Sequence, residues 1–179
     1  MELRSPKGIS ERLKLRRLYS RAFPRSEKKP FSLIRAMQRK GITDVIYFSD
    51  RDGFLGLAIT VNSPDIILID YFAVAEKRRG EGHGTEMLKA LISHYAPRAI
   101  FLEIEKPDAS AKNNEERLRR KAFYERCGLV PLGTDAKLFG VDMELLGIGC
   151  SLSFEEYRRF YLENYGSFGK IVFKNILPI

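Results

Sequence analysis

The chain has 179 residues, 44% hydrophobic and 30% charged, an ordinary globular composition with length for one domain, residues 1–179, and a real core. Its net charge of +8 is compatible with nucleic acid, an anionic membrane or a polyanionic small molecule, and most simply with a well-solvated surface. No apolar run reaches the ~18 residues of a membrane span, no apolar leader opens the chain, and there is no repeat or low-complexity tract, so no membrane partner is expected.

Leu15, Leu18, Tyr19 and Ala22 fall at i, i+3, i+4 and i+7, which predicts an amphipathic helix ending before Phe23-Pro24. A second short helix follows in "FSLIRAMQRKG", stopped by Gly41. Three strand-like runs come next, "TDVIYFS", "GFLGLAITVN" and "DIILIDYFAV", joined by the hairpin signal "DRDG" and by the turn "NSPD". "TEMLKALISHY" has one apolar face of Leu88, Leu91, Ile92 and Tyr95 and reads as a helix. Then follow a strand, "AIFLEIE", a charged helix, "NNEERLRRKAFYERCG", and a closing pair of strands in "VPLG…KLFGVDMELLG". Ser153 and Glu156 have capping-box spacing at the start of a last helix, and "KIVFKNIL" reads as an edge strand or an ordered tail. The order of elements makes this a mixed α/β domain around one sheet. The two cysteines, Cys127 and Cys150, have neither metal-ligand nor disulfide spacing; no metal is expected, and the setting reads as reducing and cytoplasmic.

The corner "RRGEGHG", Arg78–Gly84, places three glycines between a strand and a helix, although each glycine inside a helix costs about 1 kcal/mol relative to alanine. Backbone N–H groups at the helix start, the positive end of the macrodipole and the freedom of glycine to adopt positive φ together suit an anion. Arg78 and Arg79 add charge, and Thr85 adds a hydroxyl. The spacing is neither that of a Walker loop nor G-x-G-x-x-G. From these residues alone, a phosphate cradle and a plain helix start with permissive glycines are both open.

The wider stretch "YFAVAEKRRGEGHGTEMLKAL" resembles the acetyl-CoA-binding motif of the GCN5-related N-acetyltransferase (GNAT) family, Arg/Gln-x-x-Gly-x-Gly/Ala after a strand ending in Ala-Val. Here that is Arg79 to Gly84 after Ala73-Val74. "RRKAFYERCGL" resembles the next motif of that family, and "AFPRSEKKPF" is similar to a segment of small bacterial acetyltransferases. The resemblance implies a single GNAT-like domain, a mostly antiparallel twisted sheet flanked by helices, with splayed parallel strands at the coenzyme site. It implies acetyl-CoA as cosubstrate. Arg79, Gly80, Gly82, Gly84 and Thr85 would hold the pyrophosphate, and Phe72, Ala73 and Val74 would pair with the pantetheine arm. Lys77, Arg78, Arg117 or Arg120 would meet the phosphates. Many relatives carry an asparagine about seven positions before the motif tyrosine; Arg117 stands there, with Asn113 and Asn114 one turn earlier.

Acetyl transfer to an amine needs a neutral amine, a polarised thioester carbonyl and a proton for the leaving thiolate. By the resemblance Tyr124 is the acid; a phenol with a pKa near 10 is protonated at neutral pH. Three carboxylates are candidates to bind or deprotonate the amine. Asp70 shares a strand face with Leu68, Phe72 and Val74, and Glu103 and Glu105 share a face of the next strand. His83, the variable residue of the turn, is not assigned as a base, and His94 reads as a favourable charge at a helix end. The expected acceptor is a small-molecule or peptide amine, and the chain is a monomer or homodimer. Two alternatives are a non-catalytic acyl-CoA-binding module and, ranked last, a nucleic-acid-binding protein using the helix "ERLRRKAFYERCG".

Overall fold

Continuous apolar runs build the strands of the central meander, buried at nearly every position of β2 and β3. In the computed structural model, which describes every residue except Ser26, the chain forms two compact units: Met1–Asn62 with Ile69–Ala96, and Ser63–Leu68 with Pro97–Ile179. The similarity noted in "AFPRSEKKPF" includes Ser26, which therefore lies outside the described residues.

The first unit contains β1 (Glu2–Arg4), α1 (Gly8–Ala22), α2 (Phe31–Arg39), β2 (Thr43–Asp50), β3 (Gly53–Asn62), most of β4 (Ile66–Val74), a 3-10 turn at Glu76–Arg78, and α3 (His83–Tyr95). β2 and β3 pair antiparallel from Thr43↔Val61 to Asp50↔Gly53, so Arg51-Asp52 form the two-residue hairpin loop that "DRDG" predicts. β1 pairs antiparallel with β2, Leu3 opposite Phe48. Leu15, Leu18 and Tyr19 of α1 and Ile34 of α2 pack into one cluster with Val45, Leu57, Ile59 and Tyr71 of the strands. Gly56 is dictated by close packing: a Cβ there would lie 2.3 Å from the Ala73 carbonyl oxygen and 3.1 Å from the Val74 Cα. Any side chain at Gly56 would push β3 away from the end of β4.

The second unit holds the first residues of β4, then β5 (Ala99–Glu105), α4 (Asn114–Arg126), β6 (Val130–Leu138), β7 (Val141–Ile148), α5 (Phe154–Asn164), α6 (Gly166–Lys174) and β8 (Ile176–Pro178). Its strand order is β4-β5-β7-β6-β8. The β4–β5 ladder is parallel and three pairs long, Ile66↔Ala99 to Leu68↔Phe101, whereas β5–β7, β6–β7 and β6–β8 are antiparallel. The class is the expected mixed α/β one: among the described residues there are eight strands, mostly antiparallel with one parallel pair, and six α-helices.

The capping box forms as its spacing predicts: Ser153 Oγ accepts from the Glu156 N–H, and Glu156 accepts from the Ser153 N–H at 2.8 Å. The tail corrects the sequence expectation. Lys170–Lys174 of "KIVFKNIL" are helical, and only Ile176–Pro178 form a strand, on β6. The reason is packing: Gly169 brings α6 so close to α5 that a Cβ would meet the Tyr161 carbonyl oxygen at 2.1 Å.

Candidate active site

In the first unit, the glycine corner runs from the 3-10 turn into α3. Gly80 (φ 85°) and Gly82 (φ 82°) are both left-handed, and Gly82 is the residue from which α3 starts. Gly82's carbonyl takes the N–H groups of Thr85 (3.0 Å) and Glu86 (3.3 Å). The N–H groups of Gly80, Glu81, Gly82, His83 and Gly84 find no acceptor among the described residues. Five successive main-chain donors at a helix N-terminus form an anion cradle.

Side chains brace this corner. Arg78 is paired with Asp50 of β2, lies 3.9 Å from Asp52, and is 3.3 Å from His83 Nε2, which in turn meets Glu81 at 3.1 Å. Arg78 therefore has a carboxylate partner of its own. Arg79 Nε donates to the Val74 carbonyl at 3.3 Å and ties the turn to the end of β4. From Ile69 onward β4 alternates buried and half-buried residues, and Asp70, Phe72 and Val74 fall on the more open face. Ala73 is buried on the other.

Asp70 is not a lone carboxylate. Both its oxygens accept from Lys29 Nζ, at 2.6 and 2.7 Å, and its side chain is 8% exposed. The loop carrying Lys29 is pinned by phenols: Tyr71 donates to the Glu27 carbonyl at 2.7 Å and accepts from the Lys29 N–H, and Tyr19 donates to the Lys29 carbonyl. Burial pushes the Tyr19 phenol up to about 12 and the Tyr71 phenol higher still.

In the second unit, Tyr124 of α4 is 9% exposed and packs against the Phe123 ring. Its hydroxyl has no hydrogen-bond partner among the described residues. Burial pushes its pKa up to about 12, so the phenol keeps its proton. Glu103 and Glu105 leave β5 toward different partners. Tyr161 of α5 donates to Glu103 at 2.6 Å. Glu105 accepts from Arg117 at 3.1 Å, lies 3.9 Å from Arg120, and takes an amide hydrogen bond from Asn113. Arg117 also donates to the Lys106 carbonyl. Cys127 is buried, and both cysteines are free thiols.

Three functional neighbours escaped sequence reasoning: Asp50 on Arg78, Lys29 on Asp70, and Tyr161 on Glu103. Each lies far along the chain from its partner, and no local pattern links them. The hairpin "DRDG" located Asp50, but not the guanidinium it would meet.

In the first unit a strand runs into five amides that are free among the described residues, at a helix start, and in the second a helix carries a buried tyrosine. The chain belongs to the GNAT acetyltransferase family, whose domain model matches residues 36–130. No curated protein matches it in sequence. Among solved structures it is similar to a protein assigned to the GNAT acetyltransferases from Bacteroides thetaiotaomicron, at 20% identity and TM-score 0.75, covering 89% of this chain and 93% of that one. It is also similar to an aminoglycoside 6'-N-acetyltransferase solved with coenzyme A, at 16% identity and TM-score 0.63, covering 83% and 96%. The ribosomal-protein-S18-alanine N-acetyltransferase from Escherichia coli has 16% identity and TM-score 0.61, covering 85% and 95%. Family and fold together make this an N-acetyltransferase. No helix among the described residues is long and apolar enough to cross a membrane.

Proposed function

We propose that this protein transfers an acetyl group from acetyl-CoA to a primary amine by direct attack. The observation that carries the reading is the run of free amides from Gly80 to Gly84 around two left-handed glycines. Those amides, with Arg79 and Thr85, hold the pyrophosphate. Phe72, Ala73 and Val74 line the pantetheine arm. Arg78, braced by Asp50, and Arg117, braced by Glu105, act by holding the turn and α4 in place. A structural neighbour solved with coenzyme A supports the same cosubstrate. Free thiols and a CoA-dependent reaction suit a cytoplasmic setting.

In the reaction, the amine nitrogen attacks the thioester carbonyl. A C–N bond forms, the C–S bond breaks, the amine gives up a proton and the thiolate gains one. The products are an N-acetyl amide and free coenzyme A. Tyr124 supplies the thiolate's proton, since its hydroxyl is protonated and uncommitted. Asp70, both of whose oxygens accept from Lys29, and Glu105, which accepts from Arg117, are engaged in contacts that position those side chains. Glu103, which accepts from Tyr161, is the carboxylate we assign to take the amine's proton.

Isothermal titration with acetyl-CoA tests the reading directly. Binding in the micromolar range, abolished by a bulky replacement of Gly82, is expected. No binding at high protein concentration would overturn it. Binding without thiol release across a broad amine panel would point to a non-catalytic acyl-CoA module.

A further inference from the structure

The net charge is not spread over the molecule. Residues 12–42 contain eleven Lys and Arg and one acidic residue, Glu27. The remaining residues hold 20 Lys and Arg against 22 Asp and Glu, so the whole positive excess lies in α1, α2 and the loop joining them. Nine of the eleven cations are exposed, and among the described residues none of those nine is in an ion pair.

The placement on α1 is ordered. Leu15, Leu18 and Tyr19 turn to the core. On the outer side, Ile9 and Leu13 are 76% and 57% exposed. Arg12 and Arg16 flank them on one side at i, i+4, and Arg17 and Arg21 on the other, with the same spacing. Arg35 and Arg39 repeat it on α2. Like charges four residues apart on a helix repel, so the local structure is better off without them. A cavity of about 260 Å³ opens at the inner edge of this face, lined by Arg16, Tyr19, Lys28, Lys29 and Phe31. Its lining contains no carboxylate, and the nearby Asp70 is already neutralised by Lys29.

We infer that this face docks the acceptor, and that the acceptor amine is carried by an acidic polypeptide segment. The inference rests on the acetyltransferase reading above. Charge complementarity selects a polyanion and disfavours polycationic amines. Length selects a polymer: the fifteen residues of α1 span about 22 Å, several times a single amino acid. The exposed Ile9 and Leu13 and the aromatic cavity wall add apolar contacts that a peptide's side chains use. Reactivity selects polypeptide over nucleic acid. A peptide offers an α-amine with a pKa near 8 or a lysine amine, whereas the exocyclic amines of the bases have their lone pairs delocalised into the ring. The carboxylates of the segment lie along Arg12 and Arg16, and aromatic or aliphatic side chains near the amine enter the cavity that Arg16 lines.

The test uses the full chain and three fluorescein-labelled peptides with identical N-terminal residues followed by acidic, neutral or basic stretches. A single-stranded RNA matching the acidic peptide in charge is included. Anisotropy reads docking without any turnover, and thiol release with acetyl-CoA reads kcat/KM. The acidic peptide is expected to bind best, about tenfold over the neutral one at low salt, with the gap closing as ionic strength rises. In the Arg12→Glu/Arg16→Glu variant, checked for folding by circular dichroism, the acidic peptide loses about tenfold in KM and the basic peptide gains, a reversal that a structural role would not produce. Acetyl-CoA affinity by calorimetry stays at the parent value. Equal handling of the three peptides, with acetyl-CoA binding intact, overturns the inference and leaves the acetyltransferase reading standing. RNA binding tighter than the acidic peptide also overturns it. Loss of acetyl-CoA binding in the parent chain instead strikes the function itself, and with it this inference.

Discussion

Two helices carry equal numbers of basic residues and use them in opposite ways. α1 has five Lys and Arg, and α4 also has five. On α4 they are largely consumed within their own unit. Arg117 meets Glu105, Arg120 meets Glu116, and Lys121 meets both oxygens of Glu144 at 2.7 and 2.8 Å. On α1 none of the five is in an ion pair among the described residues. The one acid of α1, Glu11, is occupied by Arg4 at 2.7 Å and by the Lys7 N–H. The lesson is that a basic sequence is not a basic surface. Carboxylates from β5 and β7 convert α4 into a structural element, and no strand supplies such groups to α1. The nucleic-acid reading of "ERLRRKAFYERCG" therefore loses its support, while the unpaired charge turns up on α1, which the sequence pattern marks only as an amphipathic helix.

The sharpest way to separate the helices is to remove the group on α4 to which the proposed mechanism assigns chemistry. Tyr124→Phe should lower kcat about 100-fold, a typical general-acid contribution, with acetyl-CoA affinity unchanged by calorimetry. Because burial raises the phenol to about 12, the parent should show no loss of kcat from Tyr124 ionisation up to about pH 11. A variant as fast as the parent would remove Tyr124 from the chemistry.

Next in size is the neutralisation on α4. Lys121→Ala leaves Glu144, 9% exposed, without its cation, and should cost about 2 kcal/mol in denaturant unfolding. On α1, by contrast, Arg17→Ala/Arg21→Ala removes a repelling i, i+4 pair and should change stability by less than about 0.5 kcal/mol, toward stabilisation. If the two helices responded alike, the contrast would fail.

The smallest effect concerns the paired end of α1. Arg4 holds the Glu11 carboxyl down at about 2, from an ordinary 4.5. A carboxyl depressed in the folded state contributes stability that is present above about 4.5 and lost as pH falls toward about 2. Glu11→Gln should therefore be less stable than the parent at neutral pH, and the two melting curves should converge as pH falls to about 2.

Much of the molecule was legible before folding was considered. The period of Leu15, Leu18 and Tyr19, the hairpin turn at Arg51-Asp52, the capping box at Ser153 and the glycine corner are local patterns, and local sterics and hydrogen bonding decide them. β1 was not legible, because three residues with alternating charge become a strand only when the edge of β2 is there to pair with. Nor was α6, whose sequence suits a strand until Gly169 lets it lie against the α5 backbone.

For the site, the sequence by itself determined where an anion would be gripped. Positive φ at Gly80 and Gly82 and the free amides of a helix start are properties of a few consecutive residues. Only the tertiary structure decided which charges remain available. Lys29 reaches Asp70 across 41 positions, Arg78 reaches Asp50 across 28, and Lys121 reaches Glu144 across 23. Pairing of charge depends on distance in space, and chain folding, not sequence order, sets that distance.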